Sequence, residues 1–472
     1  MMSVTTLSAP IQPPELSPGR RMLILGTCCL SLFIVGIDVA AVNVALPSIS
    51  HDLHASPTQL QWVVDAYTLV LASLLMLGGS QGDRFGRKRV FQIGLTLFAV
   101  GSLACSLAPT AGILIAARML QAIGGSMMNP VAMSIITNTF IEPRERARAI
   151  GVWGGAVGLS LALGPVVGGA LVTAVDWRAI FWINVPVAIL AIALTGLFVP
   201  SSKAARPRRF DPLGQILVMT FLASLTYAII EGDQLGWTSP TPTTCFAVAA
   251  TSLALLIIVE SRQAEPLIDP RLFRSLPFSG AVSTAILGFA SMGGFLFLNT
   301  LYLQQVRGFS PLGAGLMTLP MAAATAVVSP ISGRIVGSVG PRPPLLASAA
   351  FIGLSALMLT RLSDTTSFIY LGAAYLAFGI GFGLMNAPIT NAAVAGMPRA
   401  QAGVAAAIAS TSRQIGATLG VAILPAVVFG QIHGSVGEGL AIASRPAWWL
   451  MAAAAVLLFA IALGSTRRTL VP

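Results

Sequence analysis

Fourteen apolar runs of roughly 18 to 30 residues, separated by polar connections, occupy most of this 472-residue chain. A run of that length crosses the hydrocarbon of a bilayer as a helix, because a helix satisfies every backbone N–H and C=O within its own segment. The runs fall at 22–47, 60–80, 90–108, 111–140, 149–173, 179–199, 211–230, 242–260, 278–303, 310–336, 343–360, 367–396, 402–430 and 446–465. With 55% of residues hydrophobic and 9% charged, the chain reads as an all-α polytopic membrane protein. The first 19 residues are polar and Pro-rich, and the run that follows is too long for a signal-peptide core, so it reads as a retained first helix.

A formal charge of +11 on a soluble surface would suit nucleic acid, but the placement of the charges excludes that partner. Of the 27 Lys and Arg, only Arg178, Arg307, Arg361 and Arg445 fall in one set of alternate loops, and Arg118 and Arg413 fall inside spans. The others lie on the side of the N-terminus. The positive-inside rule therefore puts both termini in the cytoplasm, and the excess charge serves topology and contact with lipid headgroups. Trp62, Trp177, Trp182, Trp237, Trp448 and Trp449 lie near the opposite ends of the spans, as an interfacial belt would. The four cysteines lie in or beside apolar runs, which suggests neither a disulfide framework nor a metal cluster. No cofactor is expected.

Compared with itself, the chain repeats. AARMLQAIGGSMMNP at 116–130 aligns with AAYLAFGIGFGLMNA at 373–387, pairing Gly124 with Gly381, Met128 with Met385 and Asn129 with Asn386. GSQGDRFGRK at 79–88 has a fainter partner, GRIVGSVGPR at 333–342, where Gly337 replaces Asp83. These matches lay spans 1–6 on spans 9–14 and leave spans 7 and 8 as an insert. The expected organisation is a tail at 1–21, a six-helix bundle at 22–200, a linker with two extra spans at 201–277, a second six-helix bundle at 278–465 and a tail at 466–472. Two parallel six-span repeats are the layout of transporters that alternate access to a site between their halves.

Five ordered motifs resemble the major facilitator superfamily, and within it the 14-span drug:proton antiporters of the EmrB/QacA type. Gly79, Asp83, Arg84, Gly86, Arg87 and Lys88 match the loop between spans 2 and 3; Arg118, Gln121, Gly124, Gly125 and Pro130 resemble the span-4 motif linked to proton coupling. Gly151, Gly164, Pro165, Gly168 and Gly169 resemble the span-5 antiporter motif, with Ser160 where Gly is usual. IDVAAVNVALP at 37–47 resembles the first-span signature with Ala40 for Thr, and WRAIFWINVP at 177–186 and TSRQIGATLG at 411–420 are also typical of the group. The resemblance implies the major facilitator fold, a bacterial inner (plasma) membrane location, and proton-coupled efflux of drug-like compounds. It leaves a monomer as the expected state and a periplasmic adaptor as a partner that the family sometimes uses.

A proton-driven exporter needs an ionisable group inside the membrane, where charge is costly enough to be functional by default. His51, His54 and His433 all lie in outer loops. Asp38 lies about 13 Å and Arg118 about 10 Å below the outer ends of their spans, at 1.5 Å per residue. The similar depths place both in one polar cavity, as a proton relay or as a static ion pair. Arg413 lies about 20 Å from the inner end of span 13, with no evident acidic partner, as a carbonyl anchor or a substrate contact. Asp65 is expected nearer the outer surface, where solvation suits it.

The loop at 79–88 reads as a conformational gate: glycines permit tight turns, Asp83 accepts hydrogen bonds at a helix terminus, and its basic side chains reach cytoplasmic carbonyls. In span 5, Gly164, Pro165, Gly168 and Gly169, with Gly151 nearer the inner end, kink the helix and admit a close neighbour. Asn43, Asp65, Tyr67, Gln121, Asn299, Tyr302, Asn386, Arg413 and Gln414 are candidates for lining a substrate cavity, with Trp153, Tyr375, Phe378 and Gln304 beside them. The substrate is a small molecule, either a range of amphiphiles or one antibiotic or metabolite. No GxxxxGK[ST] motif supports ATP drive; the remote alternatives are a non-transporting receptor and an intramembrane enzyme, for which a second deep carboxylate is missing.

Overall fold

The computed structural model describes residues 17–204, 211–263, 266–395, 399–432 and 436–465. The tails at 1–16 and 466–472, His433 and part of the 201–277 linker lie outside them. In chain order the long helices are α1 (Pro18–Leu53), α2 (Pro57–Phe85), α3 (Arg87–Ser106), α4 (Ala111–Thr139), α5 (Pro143–Ala174), α6 (Ala179–Phe198, interrupted at Ile183) and α7 (Pro212–Leu235). They continue as α8 (Pro240–Arg262), α9 (Leu276–Val306, closing in a π-helical turn from Tyr302), α10 (Pro311–Val339, interrupted at Thr318), α11 (Arg342–Leu359), α12 (Phe368–Val394), α13 (Arg399–Phe429) and α14 (Gly439–Ser465, interrupted at Ser444). Thirteen helices among the described residues are long and apolar enough to cross a membrane. The thirteen do not include α5, a 32-residue helix whose described apolar segment is Leu163–Ala174. Arg144, Glu145, Arg146 and Arg148 make its first turns polar.

Helix starts follow local chemistry. Ser56 and Gln59 form a reciprocal capping box around Pro57; Thr110, Asp211, Ser310 and Ser367 accept hydrogen bonds from the N–H groups of Ile113, Gly214, Gly313 and Tyr370. Each cap satisfies one of the free N–H groups of a first turn.

The bundle has an apolar exterior as well as an apolar interior, so a hydrophobic stripe does not set how the helices pack. Ile369, Leu197 and Val456 are largely exposed. Packing relies on small residues that let backbones approach. A methyl group on Gly124 of α4 would collide with the Phe98 N–H and Gly94 carbonyl of α3, and one on Gly381 of α12 would collide with the Ile352 N–H and Ser348 carbonyl of α11. These contacts occupy matching places in the two internally similar stretches.

In the first half α1 packs on α5 and α6, α2 on α4, and α3 on α4 and α6; in the second, α9 packs on α12, α13 and α14, α10 on α12, and α11 on α12 and α14. Between the halves, α2 meets α13 and α5 meets α10. Helices α7 and α8 pair with each other, and α7 rests against α2 and α13. It is fixed to α2 by Gln215 Nε2 donating to the Ser73 carbonyl (2.6 Å), Trp62 Nε1 donating to Glu231 (2.8 Å) and Gln234 donating to Thr58 Oγ1.

Hydrogen bonds between residues 17–204 and 266–465 occur, among the described residues, at one end only, where α1 turns into α2. Gln61 Nε2 donates to the Val421 carbonyl (3.4 Å), Gln304 Nε2 to the Val44 carbonyl (2.7 Å), and the Leu312 N–H to Thr173 Oγ1 (3.3 Å). This end is closed. The other end, where α2 meets α3, has no such bond among the described residues.

The tryptophan belt needs correction. Trp182, Trp237 and Trp449 are exposed as a belt requires, but Trp177 and Trp448 are buried. The Trp177 indole N–H donates to the exposed Asp52 and that of Trp448 to the buried Ser444 Oγ.

Candidate functional site

Five helices bring polar side chains to one point within the first half. Asp38 of α1 and Arg118 of α4 form a direct ion pair through Asp38 Oδ2 and Arg118 Nη1, with both side chains out of contact with solvent. The same Nη1 donates to Gln121 Oε1 (2.6 Å), and Arg118 Nε donates to the Val63 carbonyl of α2 (3.2 Å). Asp38 Oδ1 accepts from Gln121 Nε2 (2.8 Å) and from Asn184 Nδ2 of α6 (2.9 Å). Ser102 Oγ of α3 closes the ring, accepting from Gln121 Nε2 (2.7 Å) and Asn184 Nδ2 (3.4 Å). The guanidinium lies 4.1 Å from the Tyr67 ring centre, a face that favours a buried cation.

The separation of 80 residues between Asp38 and Arg118 gave no contact by itself; their depths did. Asn184 and Ser102 were missed as site residues. Asn184 stands inside the stretch WRAIFWINVP, whose motif was visible, but its aim toward Asp38 depends on how α6 packs against α1 and α3. Gln121 belongs to this network and has no exposed surface, so it does not line a substrate cavity as expected. Tyr67, also fully buried with its hydroxyl unpartnered, sits behind the guanidinium for the same reason.

Asn184→Ala removes a donor to Asp38 Oδ1 and leaves that oxygen short of one hydrogen bond, a cost of about 1–3 kcal/mol for a buried group. The expected result is a protein that still inserts and purifies but transports roughly tenfold more slowly. Initial efflux rates at equal membrane abundance check this.

Asp65 is not near a solvated surface, which corrects the expectation. It is fully buried; Thr68 Oγ1 donates to its Oδ1 (3.3 Å) and its Oδ2 has no partner. The physical reason is that α13 and α7 cover α2 over this depth. Among the described residues Arg413 finds neither a carbonyl nor an acid: its Nη2 donates to Thr390 Oγ1 of α12 (2.6 Å).

The segment 79–88 is a helical junction rather than a loop. Helix α2 runs to Phe85, α3 begins at Arg87, and Gly86 alone makes the turn, at φ 102°, where a side chain is disfavoured. Asp83 pairs with Arg87 one turn later (2.8 Å) instead of capping a neighbouring helix. Lys88 Nζ donates to the Gly196 carbonyl at the end of α6 (2.7 Å). The Arg87 N–H donates to the Ser202 carbonyl (3.0 Å) and the Ala204 N–H to the Asp83 carbonyl (3.1 Å). Arg84 lies over the ring of its neighbour Phe85, and Gly79 packs beside Pro130 of α4.

In α5 the glycines divide. Methyl groups on Gly164 and Gly168 would collide with Ala40 and Ala41 of α1, and one on Gly169 with the Pro311 carbonyl of α10. In return, one on Gly315 of α10 would collide with the Pro165 carbonyl. Gly151 faces open space.

The remaining cavity candidates split the same way. Tyr375 donates to Asn299 Oδ1 (2.8 Å) and Tyr302 to the Ser363 carbonyl (2.6 Å), all within the second half. Asn43 and Asn386 bond back to their own helices at Val39 and Phe382. Gln414 is partly buried on α13.

Comparison with known proteins agrees with this geometry. The Major Facilitator Superfamily profile matches residues 28–421. The chain is 39% identical over 408 residues to multidrug resistance protein Stp of Mycobacterium tuberculosis, covering 86% of this chain and 76% of that one. It is 36% identical over 425 residues to the methylenomycin A resistance protein of Streptomyces coelicolor, covering 88% and 89%, and 34% identical over 412 residues to the multidrug efflux pump LfrA of Mycolicibacterium smegmatis, covering 86% and 81%. In fold it is similar to a peptide transporter POT solved with sulfate, with TM-score 0.70 and 15% identity over 97% of this chain and 96% of the other. An all-helical bundle joined through α2–α13 and α5–α10, and a profile match over most of its length, lead to one conclusion: this multi-pass membrane protein belongs to the major facilitator superfamily.

Proposed function

We propose that the protein exports drug-like amphiphilic compounds in exchange for protons, by alternating access between two six-helix halves, residues 22–200 and 278–465, with α7 and α8 inserted as spans 7 and 8 of fourteen. Drug efflux is supported by relatives named as multidrug and antibiotic resistance proteins. The single observation behind proton coupling is the buried Asp38–Arg118 pair, ringed by Gln121, Asn184 and Ser102. A carboxylate that takes up a proton releases its guanidinium partner, and a freed guanidinium in a buried site seeks new partners. Proton occupancy thereby biases helix position.

Bonds between halves at the α1–α2 end alone support a state closed on that side and open where α2 meets α3. With both termini in the cytoplasm, that state faces inward. The α2–α3 junction, with Asp83–Arg87 and Lys88 on the end of α6, would then act as a gate element that changes partners when the cytoplasmic side closes.

The test is expression in a pump-deficient host, challenge with a panel of toxic compounds, and repetition with a protonophore. Resistance to several lipophilic cations that disappears on collapse of the proton gradient is expected. Resistance to one compound alone favours the narrow-specificity exporter, and resistance that survives the protonophore overturns the coupling.

A further inference from the structure

We propose that Asp211 and Glu260, at the foot of the α7–α8 hairpin, form a second proton-binding site, which holds one proton between Asp211 Oδ2 and Glu260 Oε1 and so clasps the connection leading into α9. The site lies on the side where α2 meets α3, apart from Asp38 and its partners, and it gives the α7–α8 insert a task.

The donors around the two carboxyl groups are unevenly distributed. Asp211 Oδ1 accepts from the Gly214 N–H (2.9 Å) and from Gln263 Nε2 (3.1 Å); Glu260 Oε2 accepts from the Ile268 N–H (3.1 Å). Asp211 Oδ2 and Glu260 Oε1 have no donor and are shielded from solvent. Both lie over the same Cα: a methyl group on Gly214 would collide with each of them. Asp211 is 9% exposed and Glu260 2%.

Among the described residues no basic group pairs with either carboxyl group. The ion pairs among the described residues are elsewhere, and Arg262, next along α8, is exposed and pairs with neither. From α2 the neighbour is the Ser73 carbonyl, held by Gln215, and in the connection Asp269 is engaged in capping the Arg271 N–H. Two carboxylate oxygens facing each other without a cation repel, whereas one shared proton turns the same contact into a strong hydrogen bond. Burial alone would raise Asp211, but the Gly214 N–H and the Gln263 amide, together with Glu260, more than offset it and hold this carboxyl below its usual range. The proton therefore resides on Glu260 and is donated to Asp211.

The clasp joins three elements: the first turn of α7, the last turn of α8, and Ile268, whose side chain packs against both the main core and the α2–α7 cluster. The closed arrangement binds one proton more than the opened one. It is therefore favoured as pH falls and lost as pH rises, with the opening equilibrium changing about tenfold per pH unit beyond the titration point.

Hydrogen–deuterium exchange on the full-length protein in lipid nanodiscs tests this, by following the peptide across 263–272 over a pH series, corrected for intrinsic exchange. In the wild type, protection is expected to fall about tenfold per pH unit on the alkaline side. Glu260→Gln, whose amide can donate to Asp211 Oδ2 at any pH, should keep protection throughout, and Asp211→Asn, which retains the helix cap and can donate to Glu260, should do the same. Protection that is independent of pH in the wild type overturns the proposal. So does protection that follows potassium or sodium concentration at fixed pH, since the site would then hold a metal cation.

Discussion

Asp38→Asn is expected to abolish proton-driven efflux while leaving the protein in the membrane. The substitution preserves shape and the side chain's ability to accept from Gln121 and Asn184, but it removes the charge that balances Arg118. Breaking a buried pair by removing one partner costs about 3–5 kcal/mol, which is roughly 100-fold or more in any equilibrium that depends on it. Transport into inverted vesicles and drug resistance at matched expression should both drop by at least that factor. The double variant Asp38→Asn with Arg118→Gln separates coupling from scaffolding. If the pair only holds helices together, removing both charges restores transport along with stability. If it handles the proton, thermal stability recovers and uphill transport does not.

Gly169→Leu is expected to stop turnover by a different route. Gly169 of α5 meets the Pro311 carbonyl and Leu312 of α10, and Gly315 of α10 meets the Pro165 carbonyl and Val166 of α5. Backbone fills the space on both sides, so an added side chain has no flexible neighbour to displace. Overpacking of well-packed sites costs about 1–3 kcal/mol, occasionally more, and the cost falls on the one state in which α5 and α10 touch. A penalty of about 3 kcal/mol applied to that state alone shifts the balance between conformations by roughly 100-fold. A cysteine placed at Thr173, whose hydroxyl accepts from the Leu312 N–H in the closed state, should react readily with an impermeant thiol reagent in Gly169→Leu and slowly in its absence. Gly151→Leu, at a position open on all sides, should leave both transport and labelling near their original levels. Equal labelling in the two backgrounds would mean that α5–α10 contact does not close that end.

The helices were legible in the sequence because the bilayer imposes one requirement on every span: enough apolar length, with all backbone groups paired inside. Their starts were legible as well, at Ser56-Pro57 and Asp211-Pro212, where a capping oxygen precedes a proline that needs no N–H partner. The depth of Asp38 and Arg118 followed from helical rise alone. Charge placed at similar depth in a medium that penalises it has few ways to be compensated, and each of these two residues is the other's ion-pair partner.

Other residues show where that reasoning stops. Counting residues from a helix end placed Asp65 near the surface, yet α13 and α7 bury it. The ten residues of the α2–α3 segment looked like a loop because they are polar and Gly-rich. They are helical except at Gly86, because Asp83 and Arg87 stand one turn apart and pair across the junction. Ser102 and the Asp211–Glu260 pair had no signal of spacing or composition, and Asn184 had only the motif around it; each matters through a neighbour distant in sequence.

The sequence by itself determined the long apolar helices, the internal similarity and the superfamily, all of which depend on patterns within about 20 residues or on order along the chain. Only the tertiary structure decided which polar groups share a buried site, which glycines close the α1–α2 end, and what the α7–α8 insert holds. Those depend on the rotation of each helix about its own axis and on which backbone it meets. In a bundle that is apolar on all sides, no hydrophobic stripe records that rotation, and packing of small residues against distant backbone sets it instead.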